Sequence, residues 1–207
     1  MGSRMMHLSI AAQLLSRLPH MDECLLLGGI APDANQYIGI PKGATHYYDR
    51  TETGLIYVNA ERFYAEHRQW MKEPFLIGYY SHLLSDQIWL DDFYYRKIKW
   101  LPPARKKEAQ QRNYRDFGRL NGRLAEAYGL AYRYLEPPEG GFGELTAEAL
   151  QRLQLELRDD FIADPAKRNE ELELHTFEEV KAYVDRCVAF CLQALREKGV
   201  VPECEPH

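Results

Sequence analysis

The chain has 207 residues, 45% of them hydrophobic, enough to bury the core of a single domain. Its net charge of −5 excludes the broad basic footprint of a general nucleic-acid binder, although a metal ion could still neutralise a nucleotide or lipid phosphate locally. No run of eighteen apolar residues occurs, the start of the chain lacks a signal peptide's apolar centre and small-residue cleavage site, and the cysteines form no C-x2-C pair, so a cytoplasmic protein with reduced thiols is expected.

Helical patterns dominate from the start. Residues 5–17 predict a first amphipathic helix, in which His7 stands among residues that otherwise read as core. A second apolar segment, 20–31, runs into G-G-I-A-P-D, where glycines and a proline hold Asp33 at a turn. Taken singly, His7 reads as a core histidine and Asp33 as a turn or N-cap aspartate. Residues 32–54 are irregular and contain His46, in G-A-T-H-Y-Y-D, after a loop rich in proline and glycine. The best β-type alternation is 54–58, followed by helices over 57–72 and 75–99. The second of these carries F-L-I-G-Y-Y-S-H-L-L-S-D-Q-I-W, which sets His82 and Asp86 four residues apart on one face.

Pro102 and Pro103 break the chain, and a charged helix is expected over 104–133. Its Arg105-Lys106-Lys107 cluster reads as a solvated face. The loop at 137–143 lacks the G-K-[ST] of a phosphate cradle. Two further helices are expected near 145–160 and 177–198, the latter opening on a Thr176…Glu179 capping box. Its apolar stripe is Val180, Tyr183, Val184, Cys187, Val188, Cys191, Leu192 and Leu195, and a polar tail follows over 199–207. Cys24, Cys187, Cys191 and Cys204 read as structural thiols, His20 as a loop residue and His67 as an exposed helix residue.

His7, Asp33, His46, His82 and Asp86 supply three imidazoles and two carboxylates within the first ninety residues. This is ligand chemistry for a divalent ion. Zinc suits the mixture of nitrogen and oxygen, and manganese, iron and nickel accept the same ligands. The pair His82 and Asp86 alone reads as a hydrogen bond; its company points to metal. Tyr47, Tyr48, Tyr79 and Trp89 lie close in sequence to these residues and are candidates to line a substrate site, although most such aromatics are core.

The blocks H-L-S-I-A, G-G-I-A-P-D, T-H-Y-Y-D and F-L-I-G-Y-Y-S-H-L-L-S-D, over about the first ninety-five residues, resemble in order and context the zinc-dependent phospholipase C family. More distantly they resemble the trinuclear-zinc nucleases that share its fold. The resemblance implies an all-α, single multi-helix domain over 1–207, with the metal centre in 1–95 and a helical C-terminal extension over 104–198. It implies Asp33, His46, His82 and Asp86 around one zinc, His7 with a bridging Asp86 around another, and Asp33 as the carboxylate handling the attacking water.

Asp92 stands where the family has a further histidine. His175 and Glu179 have the spacing of ligands to a third ion, but the capping box already accounts for Glu179. The secreted members also use their processed N-terminal residue as a ligand, whereas six residues precede His7 here. The expected activity is metal-dependent hydrolysis of a small-molecule or lipid phosphoester. The alternative is a helical module that holds a metal or ligand without turnover. An HD-type phosphohydrolase would need an adjacent His-Asp doublet, which the sequence lacks.

Overall fold

Ser3 starts the first helix, α1 (Arg4–Leu15), its hydroxyl accepting from the Met6 amide. In the computed structural model, which describes residues 2–162 and 166–202, most of the chain is helical. After α1 come α2 (Cys24–Ile30), a 3-10 turn (Ala31–Tyr37), the short α3 (Lys42–Thr45), a hairpin of β1 (Tyr48–Arg50) and β2 (Ile56–Val58), α4 (Ala60–His67) and α5 (Pro74–Trp89). A π-helical continuation (Leu90–Lys99) leads to α6 (Pro103–Ala127), α7 (Ala147–Ile162) and α8 (Phe177–Glu197). Cys204 lies outside the described residues.

The amphipathic reading of the first helix is corrected. Met5, Met6, His7, Leu8, Ser9, Ile10 and Ala11 are all buried, because α2, α5, α6, α7 and α8 pack around α1. Apolar residues on every side are what a central helix requires. The helices beyond residue 103 therefore share one core with the first ninety residues: Val184, Cys187 and Cys191 of α8 join Leu14, Leu25 and Leu83 in the same buried cluster.

Glycines set the closest helix crossing. A Cβ on Gly28 would lie 1.9 Å from the Phe75 carbonyl oxygen, and one on Gly78 would lie 2.1 Å from that of Leu25. Helices α2 and α5 thus meet backbone to backbone, closer than any side chain permits. The crossing carries the 3-10 turn, and with it Asp33, to the middle of α5.

The alternating segment forms β2, paired antiparallel with β1 from the stretch expected to be irregular (Tyr48 with Val58, Arg50 with Ile56). The chain enters β1 through Tyr47, which has a left-handed φ of 53°. His46 is fully buried, whereas β1 is half-buried to exposed. The expected helix over 104–133 ends at Ala127, because Gly129 adopts φ 62° and the Leu130 amide turns back to the Ala125 carbonyl. The capping box of α8 forms, and its eight stripe residues are all buried. Among the described residues no helix is long and apolar enough to cross a membrane.

Candidate metal centre

Four elements bring the five residues together: α1 contributes His7, the 3-10 turn Asp33, the C-terminal end of α3 His46, and α5 both His82 and Asp86. His82 Nε2 lies 3.3 Å from His46 Nε2 and 3.6 Å from Asp86 Oδ2. His46 Nε2 is 3.3 Å from Asp33 Oδ1 and 3.8 Å from Asp86 Oδ2. His7 Nε2 is 3.2 Å from Asp86 Oδ1, and its ring stacks on His82 at 3.7 Å between centroids. Ligand atoms of His7, Asp33 and His82 lie within 4.8 Å of one another, and those of His46, His82 and Asp86 form a second such group.

Hydrogen bonds on the outer side fix which nitrogen each imidazole presents. A carbonyl oxygen only accepts, so His82 Nδ1–H donates to Gly29 O at 2.8 Å and His46 Nδ1–H to Lys42 O at 3.1 Å. The Ser85 hydroxyl spends its one hydrogen on the His82 carbonyl at 2.9 Å, and therefore accepts from His7 Nδ1–H at 3.1 Å. All three rings point a bare Nε2 lone pair inward. Outer partners of this kind hold a metal-ligating histidine in its tautomer and raise its basicity.

The charges agree with this arrangement. Burial lowers His46 to about 4 and also lowers His7, so both rings are neutral near pH 7. Burial pushes the Asp33 carboxyl up, but the Lys42 ammonium holds it well below the usual range, and Asp86 Oδ1 accepts from the Gly2 amide at 3.2 Å. Two carboxylates and three lone pairs then face one another in a space buried except at Asp33. His7 Nε2 and Asp86 Oδ2 are buried without a hydrogen-bond partner among the described residues. Such a set is costly unless a cation occupies it, and two negative charges with imidazole nitrogens fit a divalent ion such as zinc.

The centre meets solvent at Asp33. Its side chain is 15% exposed, whereas those of His46, His82 and Asp86 are fully buried and that of His7 nearly so. Asp33 and Lys42 line a cleft of about 500 Å³ with Arg4, Asn35, Asn121 and Asp160. Lys42 Nζ lies 3.0 Å from Asp33 Oδ1, and its side chain is 40% exposed. A second cavity, of about 300 Å³, shares Lys42 and is lined by Tyr48, Tyr94, Tyr95, Tyr114 and Phe117.

The other expected ligands lie elsewhere. Asp92 is taken by Arg96 at 3.5 Å and by Arg186. His175 donates from Nε2 to Asn113 Oδ1 at 2.8 Å and sits edge-on to Trp89 and Phe93. Glu179 is used by the cap, accepting from the Thr176 amide, and by Lys97 at 2.9 Å. With their side chains committed, these three build no third metal group among the described residues.

Of the four aromatics, Tyr48 and Trp89 border the second cavity. Tyr47 does not: its hydroxyl donates to Glu66 and its ring packs on Phe63. Tyr79 is also excluded, because it stacks on Phe63 and donates to the Thr45 carbonyl at 2.7 Å, tethering the residue before His46. His67, expected to be exposed, is half-buried against Phe63 and Phe142. Sequence reasoning missed Lys42, Ser85 and the Gly29 carbonyl. Lys42 lies in the P-K-G loop between Asp33 and His46, a usable signal; the other two have none, since their roles arise only from tertiary contact.

The chain matches no protein-family model, no curated protein and no solved structure. Fold and site together define a helical protein whose buried cluster of three histidines and two aspartates reaches solvent at one carboxylate.

Proposed function

We propose that this protein is a metal-dependent hydrolase acting on a phosphoester, built on an all-α scaffold of the zinc-dependent phospholipase C type. His7, Asp33, His46, His82 and Asp86 hold the metal, zinc before manganese, iron or nickel. The observation that carries the reading is the convergence of three bare Nε2 atoms on two carboxylates, Asp86 fully buried and Asp33 at the opening. Phosphoester chemistry is supported by the sequence resemblance and by a cleft in which the Lys42 ammonium stands beside the centre.

When bound, a divalent ion supplies Lewis-acid polarisation of a phosphoryl oxygen and lowers the pKa of water toward about 7. Asp33, the one carboxylate of the set with access to the cleft, orients the attacking water as a hydrogen-bond acceptor. The Lys42 ammonium, at 3.0 Å from Asp33, neutralises charge on the phosphoryl group. Arg4, which borders the same cleft, is held by Asp160 at 2.9 Å and Glu156 at 2.7 Å. A structural metal site would be closed. The opening at Asp33 favours the catalytic reading over the non-catalytic one.

The test is elemental analysis of the purified protein and of His82→Ala and Asp33→Asn, with bis-p-nitrophenyl phosphate and p-nitrophenyl phosphate assayed on the same samples. Bound metal in the wild type, lost in His82→Ala, with turnover absent from both folded variants, is the expected outcome. A folded wild type that carries no metal and stays inert with added zinc or manganese would falsify the reading.

A further inference from the structure

Residues 93–107, F-Y-Y-R-K-I-K-W-L-P-P-A-R-K-K, contain six cations and no carboxylate, in a chain whose net charge is −5. The segment is the corner where the π-helical stretch ends and α6 begins. At its tip Trp100 is 69% exposed, beside the half-buried Leu101 and the exposed Pro102 and Pro103. Lys97 is committed to Glu179 and the Leu174 carbonyl, and Arg96 lies 3.5 Å from Asp92. Lys99, Arg105 and Lys107 have no carboxylate partner among the described residues, and the Lys99 ammonium stands 6.0 Å over the Trp100 ring. Arg105 and Lys107 are exposed, as expected of a solvated helix face. The fold joins them to a second group of cations across an outward-pointing indole.

We infer that this corner docks on an anionic lipid surface, Trp100 entering the headgroup layer between two cationic flanks. Indole, apolar in body with one N–H to satisfy, partitions to the boundary between lipid and water. Each lysine or arginine near a negatively charged leaflet strengthens binding by roughly fivefold. A polyanion without bases, such as heparin, would engage the cations but has no use for an apolar Trp-Leu-Pro-Pro tip, and stacking of a nucleobase would use the indole but not the Leu-Pro-Pro around it. The lipid surface uses both features. The same corner also borders the aromatic cavity, which Tyr94, Tyr95, Ile98 and Lys99 line together with Gln110 and Tyr114 of α6. Docking there would bring the cavity mouth to the bilayer.

The test is co-sedimentation of the whole protein with vesicles of phosphatidylglycerol and phosphatidylcholine, and with pure phosphatidylcholine, alongside Trp100→Ala and Arg105→Glu/Lys107→Glu. None of these side chains touches the cluster, so metal content and circular dichroism serve as the check on folding. Expected are binding to the anionic vesicles alone, weakening with salt, and at least about a fivefold loss in each variant. Equal binding to neutral vesicles, no binding to either, or full binding by both variants would overturn the inference. So would heparin binding by Trp100→Ala as tight as by the wild type with no vesicle binding by either, which makes the corner a polyanion site.

Discussion

Ser85 offers a way to disturb the centre without removing a ligand. Its hydroxyl is the acceptor that orients His7, and Ser85→Ala leaves the His7 Nδ1–H without a partner in a buried site. Loss of an outer partner of this kind weakens metal affinity by about 10–100-fold. Ser81→Ala is the control: it lies one turn earlier on α5, is equally buried, and its hydroxyl donates only to the Ile77 carbonyl. Titration against a chromogenic chelator should show the loss in the first variant and none in the second; equal affinities would remove Ser85 from the centre. The contrast also marks how far the site is legible in the sequence. His82 and Asp86 are visible because i to i+4 spacing is a property of one helix. Asp33, His46 and His7 gain meaning only from order and context. Ser85 and the Gly29 carbonyl are silent, since what they do depends on which side chain the fold brings opposite them.

Among the elements, the α2–α5 crossing most directly links fold to site. Gly78→Ala would drive a methyl into the Leu25 carbonyl, which as backbone cannot step aside, and the helices must separate. The cost belongs to the overpacking class, on the order of 1–3 kcal/mol or more. Separation also withdraws the Gly29 carbonyl from His82, so the metal should be lost at conditions where the helices persist. Gly118→Ala on α6, where nothing lies within 4 Å of the new Cβ, should instead stabilise by about 0.5–1 kcal/mol. Urea unfolding and metal analysis of both variants decide this; a Gly78→Ala protein with wild-type stability and metal content would refute the argument. Elements themselves were largely readable. The α8 stripe and its capping box were legible because a helix half in solvent displays its period. α1 was misread as amphipathic because its partners on the far side come from beyond residue 103. Gly28 reads as a turn residue and Gly78 as an ordinary position inside a helix, their close approach being invisible until both helices are in place.

For the whole molecule the buried histidines predict acid sensitivity, and His175 isolates one contribution away from the metal centre. Its ring is 4% exposed, donates from Nε2 to Asn113, and keeps Nδ1 buried without a hydrogen-bond partner among the described residues. Burial, with the Lys97 ammonium adding to it, lowers its pKa from 6.5 to about 4. Between those values the unfolded chain binds a proton that the folded chain refuses, so the stabilisation is complete above pH 6.5 and falls as the pH drops toward 4. The loss from this residue between pH 8 and pH 5 is about 2 kcal/mol. His175→Gln keeps an N–H donor for Asn113 but cannot titrate. Urea unfolding of the two proteins at pH 8 and pH 5 should therefore show the variant losing less stability, by roughly that amount. His7 and His46 contribute to both proteins alike, including the proton competition that weakens metal binding in acid, and cancel in the comparison. Identical losses in the two proteins would mean that the His175 ring accepts a proton within the fold, and the packing against Trp89 and Phe93 would then have to open to admit the water that solvates it.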